Sequence, residues 1–442
     1  MSDACNCPNR WRIAISGTLL QVCLGTVYAW SFFQKPLVTT YGWSNSQVAW
    51  TFSTAICCLG LAAAWGGMNL AKTGPRKLAM AGGILFGAGY LIAALALSMH
   101  NLVLLYMGYG FIGGAGLGLG YVTPVATVAK WFPDKKGFVT GMVVMGFGFG
   151  ALVMSKLIAP ILMTRFDHNL VQVFFWIGIV MLVLTLPAAY NLVNPPQGFI
   201  PAGYTPAQAA GSDHRSVGAA LTGRQCVLSR KFFMMWMVLT CNVSAGIMFI
   251  GFQSPMMQAL LKASHAQKYS DPAALAAAGA TLIAVSSVFN GLGRFFWGSL
   301  SDKVGRTNAF RLLVGSQIAI FIALIYIRSP WIFGALVCYV LLCYGGGFGA
   351  MPAFVLDVFG PVRMPVVYGV ILTGWSAGGI IGPQLTAIIR DRFPANPGVY
   401  TYAGGAILLA LGFAFSLALS DRPFELKPEV RDKASGGGPS IS

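Results

Sequence analysis

Apolar runs of about 20 residues recur along the whole chain, separated by short stretches of polar residues, glycine and proline. They lack the strict alternation of a half-buried strand and the narrow stripe of a soluble amphipathic helix. At 1.5 Å per residue, about 20 apolar residues cross the ~30 Å hydrocarbon core of a bilayer. A membrane barrel would instead show segments of roughly 10 residues alternating apolar and polar. The pattern therefore predicts an all-α membrane protein with twelve transmembrane helices. They run roughly over 13–33, 48–70, 78–98, 102–129, 137–163, 170–192, 232–260, 274–300, 309–327, 331–356, 365–389 and 399–419.

One long connection interrupts the series. Residues 193–231 hold Pro195, Pro196, Pro201 and Pro206 and a polar run through Asp213, His214 and Arg215, and read as a linker between two six-helix halves. The expected organisation is an N-terminal segment 1–12, a first half 13–192, the linker 193–231, a second half 232–419 and a polar tail 420–442. The first apolar segment follows Arg10 and Arg12 and is long, so it reads as a retained span and not as a cleaved signal peptide.

Composition narrows the class. Hydrophobic residues make up 56% and charged residues 9%, and the mean hydropathy is +0.70, which excludes a soluble or a disordered chain. The 55 glycines follow no three-residue period, which excludes collagen. In a soluble protein a net charge of +17 would suggest nucleic acid. Here the basic residues sort by side: 20 Lys/Arg fall on the side of the termini, 8 on the other, and Arg294 lies inside a span. That asymmetry predicts cytoplasmic termini and a cytoplasmic linker, with the lipid bilayer as partner and no nucleic acid. The short loops and tails suit a bacterial inner membrane. Of nine cysteines, Cys5 and Cys7 are close together, but nothing completes a metal set and no disulfide framework is implied.

The two halves repeat. At an offset of 228 residues Pro124 matches Pro352, Pro133 matches Pro361, Gly141 matches Gly369, Gly146 matches Gly374 and Gly150 matches Gly378. GMNLAKTG (67–74) likewise matches GSLSDKVG (298–305). Parallel six-helix repeats mark a large class of secondary transporters whose substrate site lies at the midplane between the halves. GSLSDKVGR (298–306) resembles the cytoplasmic loop motif of the major facilitator superfamily; the first-half counterpart has Ala71 in place of the acid. NRW (9–11), YAW (28–30), WFPDKKG (131–137) and NGLGRFFWG (290–298) are similar to the oxalate/formate antiporter family and the related monocarboxylate transporters, including bacterial lactate transporter homologues. The resemblance covers about residues 9–420. It implies the major facilitator fold and proton-coupled transport.

Arg294 is the sharpest chemical feature. It precedes Asp302, at the membrane edge, by eight residues, roughly 12 Å of helix, which puts it near the midplane. An arginine there costs at least about 2.5–3.5 kcal/mol unless it faces water or a partner. No acid lies at comparable depth in any span, which leaves room for an anionic substrate, and a guanidinium matches a carboxylate bidentately. The competing role is a structural arginine bonded to backbone carbonyls. Asn290 is one turn earlier on the same face, placed to orient the guanidinium or bond a substrate hydroxyl. Animal monocarboxylate transporters carry an acid at the matching place, so Asn290 departs from the family's proton relay. By resemblance, Arg294 is the substrate-binding arginine of helix 8, and Tyr28, Tyr121, Tyr344 and Phe348 line the cavity. Oxalate transporters of the family carry a second basic residue on helix 11. Trp375 stands there, and 365–389 holds no Lys, Arg or His. One guanidinium balances one carboxylate, which favours a monocarboxylate over oxalate.

Asp302, Lys303, Gly305 and Arg306 are expected to lock a loop to neighbouring helix ends and to bias the conformational equilibrium, and Asp134, Lys135, Lys136 and Asp357 to act similarly. Gly110, Gly113, Gly114, Gly116, Gly118 and Gly120 on helix 4 are expected to allow close helix contact. GYGFIG (108–113) satisfies a dinucleotide pattern by letter only, since no strand precedes it. There is no phosphate loop, and His100 and His265 lie outside the spans, so neither ATP use, a cofactor nor an enzyme is expected. The expected function is symport of a small monocarboxylate such as lactate or pyruvate with a proton. The alternatives are an oxalate/formate exchanger and a non-transporting membrane sensor on the same fold.

Overall fold

The computed structural model describes residues 8–134, 136–196, 199–201, 222–264, 269 and 271–424. Most of the linker, most of the tail, Cys5, Cys7, Lys135 and His265 lie outside the described residues. The chain is almost entirely helical. Twelve helices among the described residues are long and apolar enough to cross a membrane: α1 (Arg10–Tyr41), α2 (Asn45–Thr73), α3 (Pro75–Ser98), α4 (Leu102–Trp131), α5 (Val139–Arg165), α6 (Leu170–Tyr190), α7 (Arg230–Ser264), α8 (Pro272–Val304), α9 (Arg306–Tyr326), α10 (Pro330–Gly360), α11 (Val362–Arg392) and α12 (Pro397–Leu417). We call the face on which α1 begins the near face and the opposite one the far face.

Each expected span coincides with one helix, with different ends. The largest difference is α1, expected to stop at 33. It continues through Pro36 to Tyr41, because losing one N–H donor does not end a helix whose other bonds persist. Helix starts carry recognisable caps. Ser44 and Gln47 form a capping box on α2, Asn169 caps α6, and Asp271 with Pro272 opens α8. The tight turns between α2 and α3 and between α8 and α9 both pivot on a glycine in the left-handed region, Gly74 (φ 80°) and Gly305 (φ 87°), as the sequence repeat requires.

The first six helices, α1–α6, and the last six, α7–α12, referred to below as the two halves, meet along α2–α11, α5–α8 and α1–α7. Among the described residues, the side-chain hydrogen bonds joining α1–α6 to α7–α12 lie at the middle of the seam or toward the far face. Ser376 Oγ donates to Cys57 O (2.7 Å), Gln384 Nε2 to Ser53 Oγ (3.4 Å), Lys35 Nζ to Gln258 Oε1 (2.8 Å) and Lys156 Nζ to Thr281 Oγ1 (2.6 Å). At the far end the Asp391 carboxylate takes Asn45 N (3.1 Å), Asn45 Nδ2 (3.0 Å) and Ser46 N (2.9 Å), closing α11 onto the start of α2.

Candidate functional site

Three local features build the centre of the seam. In α1 a 3-10 turn over Thr26–Ala29 follows Gly25 and carries Tyr28. Gly25 lies against the backbone of Phe147, so α5 runs at close range and presents the Phe147 ring beside Tyr28. In α10, Gly345 and Gly349 face the backbone of Asn290 and Arg294. A Cβ at either position would collide with those main-chain atoms, so the two glycines set how closely α8 approaches α10. The α4 glycines act as expected, with Gly116 against α3 and Gly118 against α2.

Arg294 is 4% exposed. Its Nη1 donates to Tyr121 Oη over 3.4 Å, a long bond, while Nε and Nη2 have no partner. These two nitrogens share one edge of the guanidinium, the edge that grips a carboxylate side-on. The ion pairs among the described residues are Arg10–Asp134, Arg306–Asp302 and Arg306–Asp357, so no described acid compensates Arg294. Its nearest π faces are Phe348 (5.5 Å) and Phe147 (6.0 Å), within cation–π range.

Rings from both halves enclose the cation. Tyr28 and Tyr344 meet through their hydroxyls at 2.6 Å, a bond between α1 and α10. Trp375 is fully buried and packs on Phe348 (4.6 Å), Tyr121 (5.2 Å) and Phe147 (5.8 Å). All of the sequence-derived residues of the centre therefore converge: Arg294, Tyr121, Tyr28, Tyr344, Phe348 and Trp375 form one cluster, with Asn290 a turn away. Asn290 Oδ1 has no partner. It borders a cavity of about 10 Å³, the room of one water, shared with Tyr28, Gln253, Ser286 and Ser287. Ser286 Oγ donates to Gln253 Oε1 (2.8 Å), and Ser287 Oγ donates to Gly148 O across the seam.

The sequence reading missed Phe147 and the polar group Gln253, Ser286 and Ser287. Phe147 had one signal, an aromatic set in the glycine run GFGFG (146–150), where small neighbours mark a tight helix contact.

The loop motif lies apart from this cluster. Arg306 pairs with Asp302 (2.5 Å) and Asp357 (2.8 Å), tying the end of α8, the start of α9 and the end of α10 within the second half. Lys303 is exposed, and Gly305 adjoins Asp421, whose carboxylate accepts from Thr307 N (2.7 Å). Asp134 pairs with Arg10 at 2.7 Å within the first half.

Comparison with known proteins places these features in a family. The family model described as Major Facilitator Superfamily matches residues 15–383. The oxalate:formate antiporter of Oxalobacter formigenes is 26% identical over 393 residues, covering 88% of this chain and 87% of that protein. Apicoplast pyruvate carrier 1 of Toxoplasma gondii is 25% identical over 510 residues, covering 94% and 90%. Monocarboxylate transporter 13 of Rattus norvegicus is 24% identical over 437 residues, covering 96% and 94%. Among solved structures, a bacterial homolog of the human lysosomal transporter Spinster superposes with a TM-score of 0.67 at 17% identity, over 95% of this chain and 99% of that one.

Proposed function

The chain belongs to the Major Facilitator Superfamily and is an integral, multi-pass membrane transporter, and from that premise we propose that it moves a small monocarboxylate of the lactate or pyruvate class together with a proton. One observation carries the reading. A buried guanidinium lies at the seam of the two halves with its side-on edge unpartnered and no described acid beside it. A carboxylate fits that edge with two charge-assisted bonds and cancels the buried charge. The named relatives include an oxalate:formate antiporter, a pyruvate carrier and a monocarboxylate transporter, and this supports an organic anion as cargo.

In this reading Arg294 holds the carboxylate, Tyr121 and the Tyr28–Tyr344 pair supply hydroxyl donors, Asn290 bonds a substrate hydroxyl, and Phe348 and Trp375 confine the short carbon chain. The halves, 13–192 and 232–419, rock about the seam. With both termini cytoplasmic, the near face is the cytoplasmic one, in a bacterial inner membrane, and the Asp302–Arg306–Asp357 cluster biases the balance of states from that side. The spans offer no buried acid as a proton relay. In this reading the anion cancels the Arg294 charge, so the loaded carrier reorients with its buried cation paired, and the proton travels with the anion.

The test is uptake of labelled L-lactate into liposomes, with and without an inward proton gradient and with oxalate or formate outside. Concentrative uptake that needs the gradient, resists oxalate and disappears in Arg294→Ala establishes the proposal. Arg294→Ala protein that still accumulates substrate against a gradient excludes it. A second reading, oxalate/formate exchange, is favoured by the Oxalobacter relative; it predicts gradient-independent uptake that requires formate or oxalate on the opposite side. Absence of any flux would leave a sensor on the same fold.

A further inference from the structure

The small cavity beside the central cluster is lined by five polar side chains, Tyr28, Gln253, Ser286, Ser287 and Asn290, none more than 4% exposed. Its remaining walls are apolar or glycine, Ala151 and Leu341 among them. Ala151 is four residues past Phe147 on α5, Asn290 four before Arg294 on α8, and Leu341 three before Tyr344 on α10. On each helix that is one turn toward the far face, so the cavity lies about 5 Å beyond the cluster. Tyr28 and Asn290 belong to both.

The hydrogen bonds around the cavity leave one donor and one acceptor over. Ser286 Oγ donates to Gln253 Oε1 (2.8 Å). Ser287 Oγ donates to Gly148 O and accepts from Leu152 N (3.2 Å). The Tyr28 hydroxyl is engaged with that of Tyr344. What remains is Gln253 Nε2, with no bond among the described residues, and the buried Asn290 Oδ1, which has no partner. A hydroxyl satisfies both at once, because it accepts and donates. A carbonyl or ether oxygen would leave Asn290 Oδ1 unpaired, and a methyl group would leave both unpaired. A volume of about 10 Å³ admits one such oxygen and no carboxylate.

We propose that this cavity is a hydroxyl subsite that holds an oxygen on the third carbon of the cargo, so that the preferred cargo is a short monocarboxylate with a hydroxyl on C3. This rests on the carboxylate reading of Arg294. An oxygen on C2 stays next to the carboxylate, at the edge of the guanidinium. An oxygen on C3 reaches one carbon farther, toward the cavity one turn away. A cargo without it leaves Gln253 Nε2 and Asn290 Oδ1 to a trapped water. The C3 hydroxyl displaces that water and reproduces its two bonds, which releases the water without leaving either group unpaired.

The test uses the purified full-length protein in detergent, with L-lactate, propionate and 3-hydroxypropionate as ligands. The last two differ only in the C3 hydroxyl. Affinity is read from ligand-dependent thermal stabilisation. 3-Hydroxypropionate should bind about tenfold more tightly than propionate. Gln253→Met keeps the length of the side chain and removes the amide donor, and the ratio of the two affinities should fall to about one. Asn290→Leu removes the acceptor instead and should do the same. The ratio compares two ligands on one folded protein, so a general loss of stability does not move it. Equal affinities in the wild type would make the cavity a place for a structural water only and overturn the subsite. A preference that survives both variants would put the hydroxyl elsewhere and overturn it too. Binding of L-lactate and propionate with no gain from the C3 hydroxyl would leave the monocarboxylate reading standing without the subsite. Failure of all three to bind would sink that reading and the subsite with it.

Discussion

Replacing Arg294 by lysine separates a substrate-binding role from a structural one. The wild-type guanidinium contributes little to the fold through polar contacts: one 3.4 Å bond to Tyr121 and two ring contacts, with Nε and Nη2 unused. A lysine keeps the charge but has no planar edge, so it loses one of the two parallel bonds to a carboxylate. Hydrogen bonds to charged groups contribute about 1.5–3 kcal/mol each, so the variant should bind L-lactate roughly 10- to 150-fold more weakly. Its melting temperature in detergent should change little, because a single long bond is lost. Binding is read by ligand-dependent thermal stabilisation and by the half-saturation of uptake. Affinity within about threefold of wild type, or about 0.6 kcal/mol, would refute the side-on carboxylate pairing. A lowered melting temperature with unaltered affinity would make Arg294 a structural residue.

Trp375→Lys restores a second cation beside the first, 4.6 Å from the Phe348 ring in the parent. Oxalate should then inhibit L-lactate uptake at least about tenfold better, and unchanged selectivity would show that position 375 does not set the number of carboxylates. Asp391→Asn removes the charge from three bonds that close α11 onto α2. The change from charged to neutral acceptor should weaken far-side closure by about 1–2 kcal/mol. Spin-label distances between the far ends of α2 and α11 should shift to longer values; an unchanged distribution would mean that closure rests on packing alone. Gly349→Ala places a Cβ against the Arg294 backbone. Overpacking of about 1–3 kcal/mol should lower the melting temperature and weaken L-lactate binding together, and a variant with both unchanged would show that α8 and α10 have room to part.

The helices were legible because a ~30 Å hydrocarbon layer tolerates no unpaired backbone, so each span needs a contiguous apolar run. Their ends were less so. Gln34, Lys35 and Pro36 look like a stop, yet α1 passes through them to Tyr41, because beyond the hydrocarbon core polarity no longer opposes a helix. Arg294 was legible for the converse reason: desolvation makes a charge inside a span conspicuous in any sequence. Phe147 was not, since one phenylalanine in an apolar run carries no such mark and is identified only by the approach of Gly25. Asp391 was invisible as a clasp between the halves. At a helix end it resembles any solvated charge, and its partners, Asn45 and Ser46, lie 346 and 345 residues away.

The centre of the seam also indicates how binding an anion would act on the rocking of the halves. Two of its cross-seam bonds, Tyr28–Tyr344 and Arg294–Tyr121, use hydroxyls that a carboxylate would also recruit. In the tyrosine pair one hydroxyl donates and the other accepts, so one phenolic proton remains free to point at an anion. A carboxylate on the Nε/Nη2 edge of Arg294 leaves Nη1 on Tyr121 and takes that free proton. The anion would then bridge α8 to α1 and α10, adding charge-assisted bonds to the neutral one already spanning the seam. Binding would thus add contact through the cargo to the protein–protein contact, and the cargo would become part of the joint about which the halves turn. A dianion would do the same with one carboxylate and bring a second charge against Trp375, Phe348 and Phe147, where no second cation balances it. On the monocarboxylate reading, one edge of one guanidinium would therefore set both the selectivity for a single charge and the coupling of movement to binding.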